Sequence, residues 1–384
     1  MGKNKKRVFI SVGEISADTY AAELIKKLPE VEWIGIAGPK MREAGCFAIE
    51  TIENMSVVGI TEVIPKYFYL KKVLKKSVDT LKNNVDLLIV VDYPGFNLKL
   101  LKEAKKLGIK TIYFIAPQVW AWGEKRKKII AQYTDILIAI WPFEKQIYKE
   151  YENEKFKVEY VGHPILDIIK TYETKESFRE KLKIPEYKKI FGLFPGSREN
   201  EIKNILPVML KASELIYKVD KSLYFVLPVT ENVKNLVKSI TKSSKLPLKL
   251  VDNTLFKYPN YETMNNAFFS IITSGTATLE ASIFTNPFVV VYKVNKLTYI
   301  LGKMLVKIPY ISLPNIVAGE EIVKELIQDE CNPVNIANWS LKYMLDKDLY
   351  IRTKINLKEK VKNKLGEKGA LDKTAQIIKK ELKL

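Results

Sequence analysis

Two glycine-bearing turns in the second half of the chain carry the residue types that bind a diphosphate. Pro195-Gly-Ser-Arg198 follows an apolar run and precedes a segment with helical spacing, and so does Ser274-Gly-Thr276. A strand that enters a helix through such a turn leaves backbone N–H groups free at the helix N-terminus, where phosphate binds. Either turn alone reads as an ordinary helix cap, but two of them in one domain favour a nucleotide diphosphate.

Side chains beside these turns extend the predicted site. Arg198 can pair with two phosphate oxygens through parallel hydrogen bonds. Glu280 comes one turn into the following helix and can accept hydrogen bonds from ribose hydroxyls. The predicted nucleotide contacts are Gly196, Ser197, Arg198, Ser274, Gly275, Thr276, Glu280 and Asn315.

In the first half of the chain, two acidic residues are candidates for a general base. Asp92 directly follows an apolar strand, at the edge where doubly wound sheets bind ligands. Glu14 occupies the first strand-to-helix turn, where it and Asp18 could instead hydrogen-bond sugar hydroxyls. An acid at a strand end is also often just a helix cap. The sequence leaves these interpretations open and ranks Asp92 above Glu14 as the base.

A further set of residues is predicted to line the substrate. Two tryptophans on one loop, beside an amide, suit a sugar or an acyl chain. The only histidine lies in Gly162-His-Pro164 at the expected hinge, where a structural role and a catalytic role are equally open. The predicted lining residues are Gly13, Asn97, Gln118, Trp120, Trp122 and His163.

The chain is strongly basic. Its 384 residues include 63 Lys and Arg against 44 Asp and Glu, which gives a net charge of +19. Such a charge suits phosphate-bearing ligands, an anionic membrane surface or nucleic acid. Because the lysines occur in pairs all along the chain rather than in one arm, charge alone does not choose among these partners.

Residues 63–76 and 296–311 each combine aromatic and aliphatic side chains with lysines. Ordinary amphipathic packing explains either segment alone, but both together, in so basic a chain, predict contact with anionic lipid. No apolar run approaches the roughly 18 residues that a membrane-spanning helix needs, and none has the form of a signal peptide. We therefore expect a cytoplasmic protein that is peripheral to a membrane.

Neither the cysteines nor the acidic motifs indicate a metal. Cys46 and Cys331 are far apart in the sequence and fit a reducing compartment without disulfides. Asp346-Lys-Asp348 resembles a metal motif only in its letters, because it lies between helical segments where solvated acids are expected. The sequence predicts no cofactor and no essential metal.

Short apolar runs alternate with segments of helical periodicity, which predicts two doubly wound α/β domains. The predicted strands are 7–13, 33–38, 86–92, 111–117 and 135–141, then 190–194, 223–229, 248–251, 268–273 and 288–294. The crossover helices of the first domain are predicted at 16–28, 67–81, 98–107 and 124–132. We place the domains at 1–168 and 169–345, facing each other across a cleft, and a helical tail at 346–384 that could pack back on the first domain.

These motifs and others in the chain resemble those of the lipid-A-disaccharide synthase family. In chain order they are Ser11-Val-Gly-Glu14, Ala37-Gly-Pro-Lys-Met41, Val58-Gly-Ile60, Asp92-Tyr-Pro-Gly-Phe-Asn97, Pro117-Gln-Val-Trp-Ala-Trp122, Gly162-His-Pro164, Pro195-Gly-Ser-Arg198, Ser274-Gly-Thr-Ala-Thr-Leu-Glu280 and Ser312-Leu-Pro-Asn315. The resemblance runs from about residue 7 to Pro333. One departure is Ala17, where the family commonly has glycine.

The resemblance implies a GT-B fold and an inverting glycosyltransferase. Its substrates would be UDP-2,3-diacylglucosamine and 2,3-diacylglucosamine 1-phosphate, known as lipid X, and its products the β-1,6 lipid A disaccharide 1-phosphate and UDP. Asp92, or less favourably Glu14, would be the base, and Arg198 would stabilise the departing diphosphate. The enzyme would be cytosolic and peripheral to the inner membrane of a Gram-negative bacterium. The sequence leaves open whether the chain forms a homodimer.

Two rival interpretations stand beside this one. A related UDP-sugar enzyme, such as an N-acetylglucosaminyl transferase or a UDP-N-acetylglucosamine epimerase, would share the fold and the nucleotide pocket. A nucleic-acid-binding protein would explain the charge without chemistry, but it would ignore UDP. We predict no nucleic acid partner.

Overall fold

The computed structural model describes residues 5–55, 63–117, 119, 125–293 and 309–384, and of residues 63–66 it describes the backbone alone. The chain forms two compact units. Unit 1 comprises Met1–Ile168 and Leu365–Leu384, and unit 2 comprises Ile169–Lys364. The segment 346–384, predicted as one tail, is therefore divided between the two units.

Unit 1 is built on a parallel sheet with the strand order β3-β2-β1-β4-β5-β6-β7. Its strands are β1 (Arg7–Ser11), β2 (Glu32–Ala37), β3 (Phe47–Thr51), β4 (Leu87–Val91), β5 (Lys110–Phe114), β6 (Ile136–Ala139) and β7 (Lys157–Tyr160). The helices between these strands are α1 (Ile15–Lys26), α2 (Pro39–Glu43), α3 (Ile52–Met55), α4 (Val63–Leu81), α5 (Pro94–Lys106), α6 (Arg126–Tyr133) and α7 (Pro142–Tyr148), and α8 (Ile165–Ile168) follows β7.

The central strand shows why the sequence forms this sheet. All five residues of β4, Leu-Leu-Ile-Val-Val, are buried. A parallel strand that is covered by helices on both faces needs an unbroken apolar run of this kind. The β-branched residues of the run also favour the extended conformation.

Unit 2 repeats the plan with the order β10-β9-β8-β11-β12-β13, again all parallel. Its strands are β8 (Lys189–Phe194), β9 (Leu223–Pro228), β10 (Leu248–Val251), β11 (Phe269–Thr273), β12 (Phe288–Tyr292) and β13 (Glu325–Ile327). Its described helices are α9 (Lys175–Leu182), α10 (Glu199–Val219), α11 (Lys234–Thr241), α12 (Pro259–Asn266), α13 (Thr276–Phe284), α14 (Leu313–Ala318), α15 (Pro333–Leu345) and α16 (Lys347–Asn356).

A cluster of aromatic rings marks the core of unit 2. The ring of Phe191 lies 5.1 Å from that of Phe225 and 5.7 Å from that of Phe269, centre to centre. These three residues stand on the neighbouring strands β8, β9 and β11 and are fully buried. The core therefore joins the strands on both sides of the point where the strand order reverses.

The last helix of the chain, α17 (Ala370–Leu382), returns to unit 1 and packs against α1 and α8. The carboxylate of Asp167 accepts hydrogen bonds from the backbone N–H groups of Gly369 and Leu371, at 2.6 and 2.8 Å. Backbone N–H groups at the start of a helix have no hydrogen-bond partner within it, and Asp167 supplies the acceptor for two of those of α17. Asp167 thus fixes the point at which the chain re-enters unit 1.

The predicted fold class, two doubly wound α/β domains, is confirmed. The strands that the sequence missed are β3, β7 and β13, which all lie at the edge of a sheet. Edge strands are short and partly exposed, so they lack the continuous apolar run that identifies a central strand.

Two predictions about features along the chain also have outcomes. Cys46 and Cys331, for which no disulfide was expected, are free thiols, and both are buried. Asp346 is not merely solvated, because its carboxylate caps α16 by accepting a hydrogen bond from the N–H group of Leu349 at 2.9 Å. Across the described part of the chain, no helix has both the length and the apolar character needed to span a bilayer.

Candidate active site

Both sheets bring the predicted residues to the place where a doubly wound sheet binds ligands. The strand order reverses between β1 and β4 in unit 1 and between β8 and β11 in unit 2. Ligands of such sheets lie at the carboxyl ends of the strands beside this switch point. The loops there carry Gly13 and Glu14 with Asp92 in unit 1, and Gly196–Arg198 with Ser274–Thr276 in unit 2.

In unit 1 the chain turns sharply at Asp92 and Tyr93, between the end of β4 and the start of α5. Their φ angles are +47° and +49°, so two successive non-glycine residues adopt the left-handed conformation. Each such residue costs roughly 1–2 kcal/mol. Backbone strain of this kind is found mostly at functional sites, where the surrounding structure holds the residues in the unfavourable conformation.

Burial raises the pKa of the Asp92 carboxyl to about 6, and the negative charge of Glu14 acts in the same direction. A hydrogen bond from the backbone of Tyr93 opposes the rise. The carboxyl therefore gains and loses its proton close to neutral pH, as a general base requires.

Glu14 is exposed at the first residue before α1, and Gly13 precedes it. A Cβ atom at Gly13 would lie 2.1 Å from Cγ of Tyr93. The first loop therefore rests directly against the Asp92 turn, at a distance that only glycine allows. The two acidic candidates are neighbours, which the pKa of Asp92 also reflects.

Asn97 lies beneath the turn rather than on the wall of a pocket. Its side chain is fully buried, and Nδ2 donates to the carbonyl oxygens of Asp92 at 2.8 Å and Val91 at 3.2 Å. The hydroxyl of Ser11 donates to Oδ1 of Asn97 at 2.7 Å. Asn97 therefore holds the backbone of the turn, and the structure gives it no exposed surface for a substrate.

His163 is also inside unit 1, with 5 % of its surface exposed. Nδ1 accepts a hydrogen bond from the N–H group of Ile165 at 3.1 Å, and the ring packs against Trp141 with centroids 4.8 Å apart. Burial lowers the pKa of His163 to about 3, so the ring is neutral at physiological pH. Of the two roles left open for His163, this packing supports the structural one.

Asp18, whose carboxylate was a candidate for binding a sugar hydroxyl, instead makes its hydrogen bonds within the protein. Its buried carboxylate accepts from the N–H groups of Lys40 and Met41, each at 3.0 Å. It caps the start of α2 and has no exposed oxygen for a ligand. The predicted wall residues Gln118, Trp120 and Trp122 lie outside the described residues.

In unit 2, the first turn differs from the sequence prediction in one respect. The carboxylate of Glu201 accepts hydrogen bonds from the N–H groups of Ser197 at 3.1 Å and Arg198 at 3.3 Å. These N–H donors were expected to be free for phosphate, and that expectation is wrong, because both are bound to Glu201. Gly196, with φ +100°, makes room for the acid, since a Cβ there would lie 2.2 Å from Oε2 of Glu201.

The Arg198 side chain stays available. It is 74 % exposed, and its contact with the Glu201 carboxylate is 3.4 Å long. An exposed pair of this length contributes little, so the guanidinium can leave it at small cost. Sequence reasoning missed Glu201, although an acid at the third position of a helix is the usual partner of an N-terminal cap.

The second turn of unit 2 is more open. A Cβ atom at Gly275 would have no atom of the described residues within 4 Å. The hydroxyl of Ser274 donates to the carbonyl oxygen of Ile311 at 3.1 Å, and Thr276 begins α13. Glu280 is half-buried and accepts from the hydroxyl of Tyr261 at 3.4 Å. The open space at Gly275 gives a ligand close access to the backbone.

Asn315 is fully buried, and its amide makes every hydrogen bond available to it within the chain. Nδ2 donates to the Val323 carbonyl and the Glu325 carboxylate, while Oδ1 accepts from the N–H groups of Ile322 and Val323. Its side chain therefore has no hydrogen bond left for a nucleotide. What Asn315 contributes is the position of the loop before α14.

Glu325, which accepts a hydrogen bond from Asn315, was not identified from the sequence. Its buried carboxylate accepts from the N–H groups of Ile311 at 2.9 Å and Ser312 at 3.0 Å, and from the hydroxyl of Ser312 at 2.6 Å. It stands on the edge strand β13, where an acid is ordinarily solvated, so no local signal points to it. Glu325 fastens the same loop whose Ile311 carbonyl receives the Ser274 hydroxyl.

Solved structures with the same architecture belong to enzymes of sugar chemistry. The crystal structure of UDP-GlcNAc 2-epimerase from Neisseria meningitidis bound to UDP-GlcNAc has a TM-score of 0.63 at 15% identity, covering 97% of this chain and 100% of that one. CalG4, the calicheamicin glycosyltransferase, has a TM-score of 0.62 at 13% identity and 99% coverage of both chains. The two doubly wound units with glycine turns at their switch points define a protein of the GT-B fold class.

Sequence comparison gives the family within that class. Residues 8–380 match the family model described as lipid-A-disaccharide synthetase. The lipid-A-disaccharide synthase of Persephonella marina is 60% identical over 374 residues, 97% of this chain and 98% of the relative. That of Sulfurihydrogenibium sp. is 54% identical over 380 residues, with the same two coverages. The chain belongs to the lipid-A-disaccharide synthase family, a family of glycosyltransferases of lipid A biosynthesis.

The contact made by Glu201 predicts an effect on anion binding. Glu201→Gln should tighten the binding of UDP, the predicted ligand of this turn, about two- to fivefold, because a neutral amide accepts the hydrogen bonds of the two N–H groups more weakly than a carboxylate, by roughly 0.5–1 kcal/mol, and so competes less with the diphosphate. Isothermal titration calorimetry measures the change. Glu199→Gln is the control, since it removes the same charge from the same helical turn without a contact to these N–H groups. Weaker UDP binding by Glu201→Gln would contradict this prediction. It would mean that the Glu201 carboxylate holds the turn in the shape that binds UDP, rather than competing with the diphosphate for the N–H groups.

Proposed function

We propose that this protein transfers the diacylglucosaminyl group of UDP-2,3-diacylglucosamine to the 6-hydroxyl of 2,3-diacylglucosamine 1-phosphate (lipid X), forming the β-1,6 lipid A disaccharide 1-phosphate and UDP. Membership of the lipid-A-disaccharide synthase family supports the product class. The observation that carries the chemistry is the Asp92 carboxyl, held in a strained turn at the switch point of unit 1 with a pKa of about 6.

In the proposed reaction, the Asp92 carboxylate takes the proton of the acceptor 6-hydroxyl. The oxygen then attacks the anomeric carbon of the donor from the face opposite UDP, and the bond between that carbon and the diphosphate oxygen breaks. The electron pair leaves with UDP, so the anomeric configuration is inverted. Asp92 ends the step protonated and returns the proton to water. Glu14 remains the alternative base.

The departing diphosphate is assigned to unit 2. The turns at Gly196–Arg198 and at Ser274–Thr276 each precede a helix whose N-terminus favours negative charge. The exposed Arg198 guanidinium can follow the charge as it develops on the leaving oxygen. We propose that these groups suffice without a resident metal or other cofactor, and turnover that survives EDTA would support this.

The membrane surface is the proposed location of the reaction, because both substrates carry acyl chains. On α4, Tyr67 and Phe68 are 57 % and 64 % exposed, and lysines follow at 71, 72, 75 and 76. Exposed rings beside lysines suit an anionic lipid surface. The second predicted segment, 296–311, lies almost wholly outside the described residues. We propose a cytoplasmic enzyme, peripheral on the inner membrane, with no nucleic acid partner and a homodimer left open.

The direct test is the product. Purified protein given UDP-2,3-diacylglucosamine and lipid X should form a disaccharide 1-phosphate, identified by mass spectrometry, and one UDP per disaccharide. UDP-GlcNAc without an acceptor tests for an epimerase, which the structural likeness to UDP-GlcNAc 2-epimerases makes the second candidate. Epimerised UDP-sugar without disaccharide would overturn the proposal.

Replacing the proposed base should separate chemistry from binding. Asp92→Asn keeps the size of the side chain but cannot take a proton, so kcat should fall about 10²-fold or more. UDP affinity should be unchanged, because the proposed nucleotide contacts are in unit 2. Steady-state rates and calorimetry measure the two effects, and an undiminished kcat would remove Asp92 from the mechanism.

The pH dependence distinguishes the two acids. Asp92 acts as a base only when ionised, so wild-type kcat should rise with pH through about 6, the pKa of its carboxyl. Glu14→Gln removes a negative charge that raises this pKa, so the rise should move to lower pH while kcat on the plateau is largely kept. If Glu14→Gln instead abolishes turnover and Asp92→Asn does not, Glu14 is the base.

Membrane contact through α4 can be tested with Phe68→Ser. The variant should co-float less than the wild type with vesicles of phosphatidylglycerol and phosphatidylethanolamine, because an exposed apolar ring is lost from the lysine-rich surface. Tyr187→Ser is the control, since Tyr187 is a ring in unit 2 that is at least as exposed as Phe68, at 75 % against 64 %. Equal flotation of all three proteins would exclude Phe68 from the contact.

A further inference from the structure

We propose that Tyr113 is a positioning residue for the transfer reaction: its hydroxyl and the Asn97 amide together fix the carbonyl of Asp92 and so aim the Asp92 carboxyl. Tyr113 was not among the residues that the sequence singled out. The inference rests on the proposed role of Asp92 as the general base.

The contact is a pair of hydrogen bonds to one oxygen. The hydroxyl of Tyr113 donates to the Asp92 carbonyl oxygen at 2.9 Å, and Nδ2 of Asn97 donates to the same atom at 2.8 Å. A carbonyl oxygen has two lone pairs, so both of its acceptor positions are filled. Two bonds from different directions fix the orientation of the peptide group between Asp92 and Tyr93, which one bond would leave free to tilt.

The partners reach this carbonyl from separate elements of unit 1. Tyr113 stands on β5, on one side of β4, and Asn97 comes from α5. Ser11, which donates to Asn97, stands on β1 at the other side of β4. The N–H group of Asp92 is also bound, to the carbonyl of Ile115 at 3.1 Å. The turn is therefore held from both neighbouring strands and from the helix that follows it.

This fixation is needed because the turn is unfavourable by itself. Asp92 and Tyr93 both have positive φ, and neither is a glycine. A backbone in that state relaxes unless its surroundings hold it. A small displacement of the Asp92 carboxyl would misalign the proton transfer, and the rate of such a step is sensitive to shifts of about 1 Å.

An ordinary role in the core does not explain the hydroxyl. The Tyr113 ring is fully buried, and a phenylalanine ring would fill the same space in the core equally well. A buried hydroxyl is costly unless it makes a hydrogen bond. Among the residues that the structure describes, the contact that distinguishes tyrosine from phenylalanine here is the hydrogen bond to the Asp92 carbonyl.

The test begins with Tyr113→Phe, which keeps the ring and removes only the donor. We expect kcat to fall about tenfold, the effect of one lost hydrogen bond that orients a reacting group. The KM for the UDP-sugar donor and the melting temperature should change little. Tyr148→Phe is the matched control, because Tyr148 is equally buried in unit 1 and its hydroxyl has no hydrogen-bond partner among the described residues. It should retain the wild-type kcat.

The decisive measurement is Tyr113→Phe in the Asp92→Asn background. If Tyr113 acts by aiming the carboxyl, its replacement should cost nothing further once that carboxyl is gone. The same tenfold loss in both backgrounds would show an independent role and overturn the inference. So would a wild-type kcat for Tyr113→Phe, or an equal loss for Tyr148→Phe.

A second variant covers the case in which Tyr113→Phe folds poorly. Ser11→Ala removes the hydroxyl that orients Asn97 and should give a smaller loss of kcat that also vanishes in the Asp92→Asn background. The outcome for Asp92→Asn alone separates this inference from the proposed function. An active Asp92→Asn enzyme refutes the assignment of the base, whereas an inactive one beside fully active Tyr113→Phe and Ser11→Ala variants refutes only the positioning role.

Discussion

The peptide group between Asp92 and Tyr93 is the constraint on which unit 1 depends. The chain must leave a fully buried strand and enter a helix within two residues, both in the left-handed conformation. That geometry is maintained because the strands on either side of β4 and the helix after it all bind the same short stretch of backbone. Gly13 completes the arrangement, since any side chain there would collide with the ring of Tyr93.

In unit 2, buried or half-buried carboxylates hold the backbone of the loops at the ends of the strands. Glu201 binds the backbone of the first glycine turn, and Glu325 binds the loop beside the second. Asp18 and Asp167 do the same for helix starts in unit 1. An acid that accepts hydrogen bonds from two backbone N–H groups is a charge-assisted clamp on a loop. In this fold the loops at the ends of the strands are shaped by such clamps rather than by their own sequences alone.

The sequence predicted the elements that carry an unmistakable apolar run and the turns that glycine marks. β4, β8 and β11 and the loops after them follow from local pattern, and so does the placement of Asp92 and Arg198 at the strand ends. What the sequence could not reveal is which partner a polar residue chooses across the fold. From the sequence, Tyr113 is an ordinary strand residue and Glu325 an ordinary acid, because the partner of Tyr113 is 21 positions away and the partners of Glu325 are 13 and 14 positions away. Asn97 and Asn315 were predicted to contact ligands, yet their side-chain amides form hydrogen bonds to other groups of the protein.

The return of α17 to unit 1 has a consequence for how the protein is made. Asp167 sits where the chain first leaves unit 1, but the two N–H groups that it binds belong to Gly369 and Leu371. A ribosome synthesises those residues 202 and 204 positions later, after all of unit 2, whereas domains otherwise tend to fold in the order of their synthesis. During translation all of unit 2 is therefore synthesised before the last residues of unit 1. Unit 1, which carries Asp92, can be completed only after α17 has been synthesised.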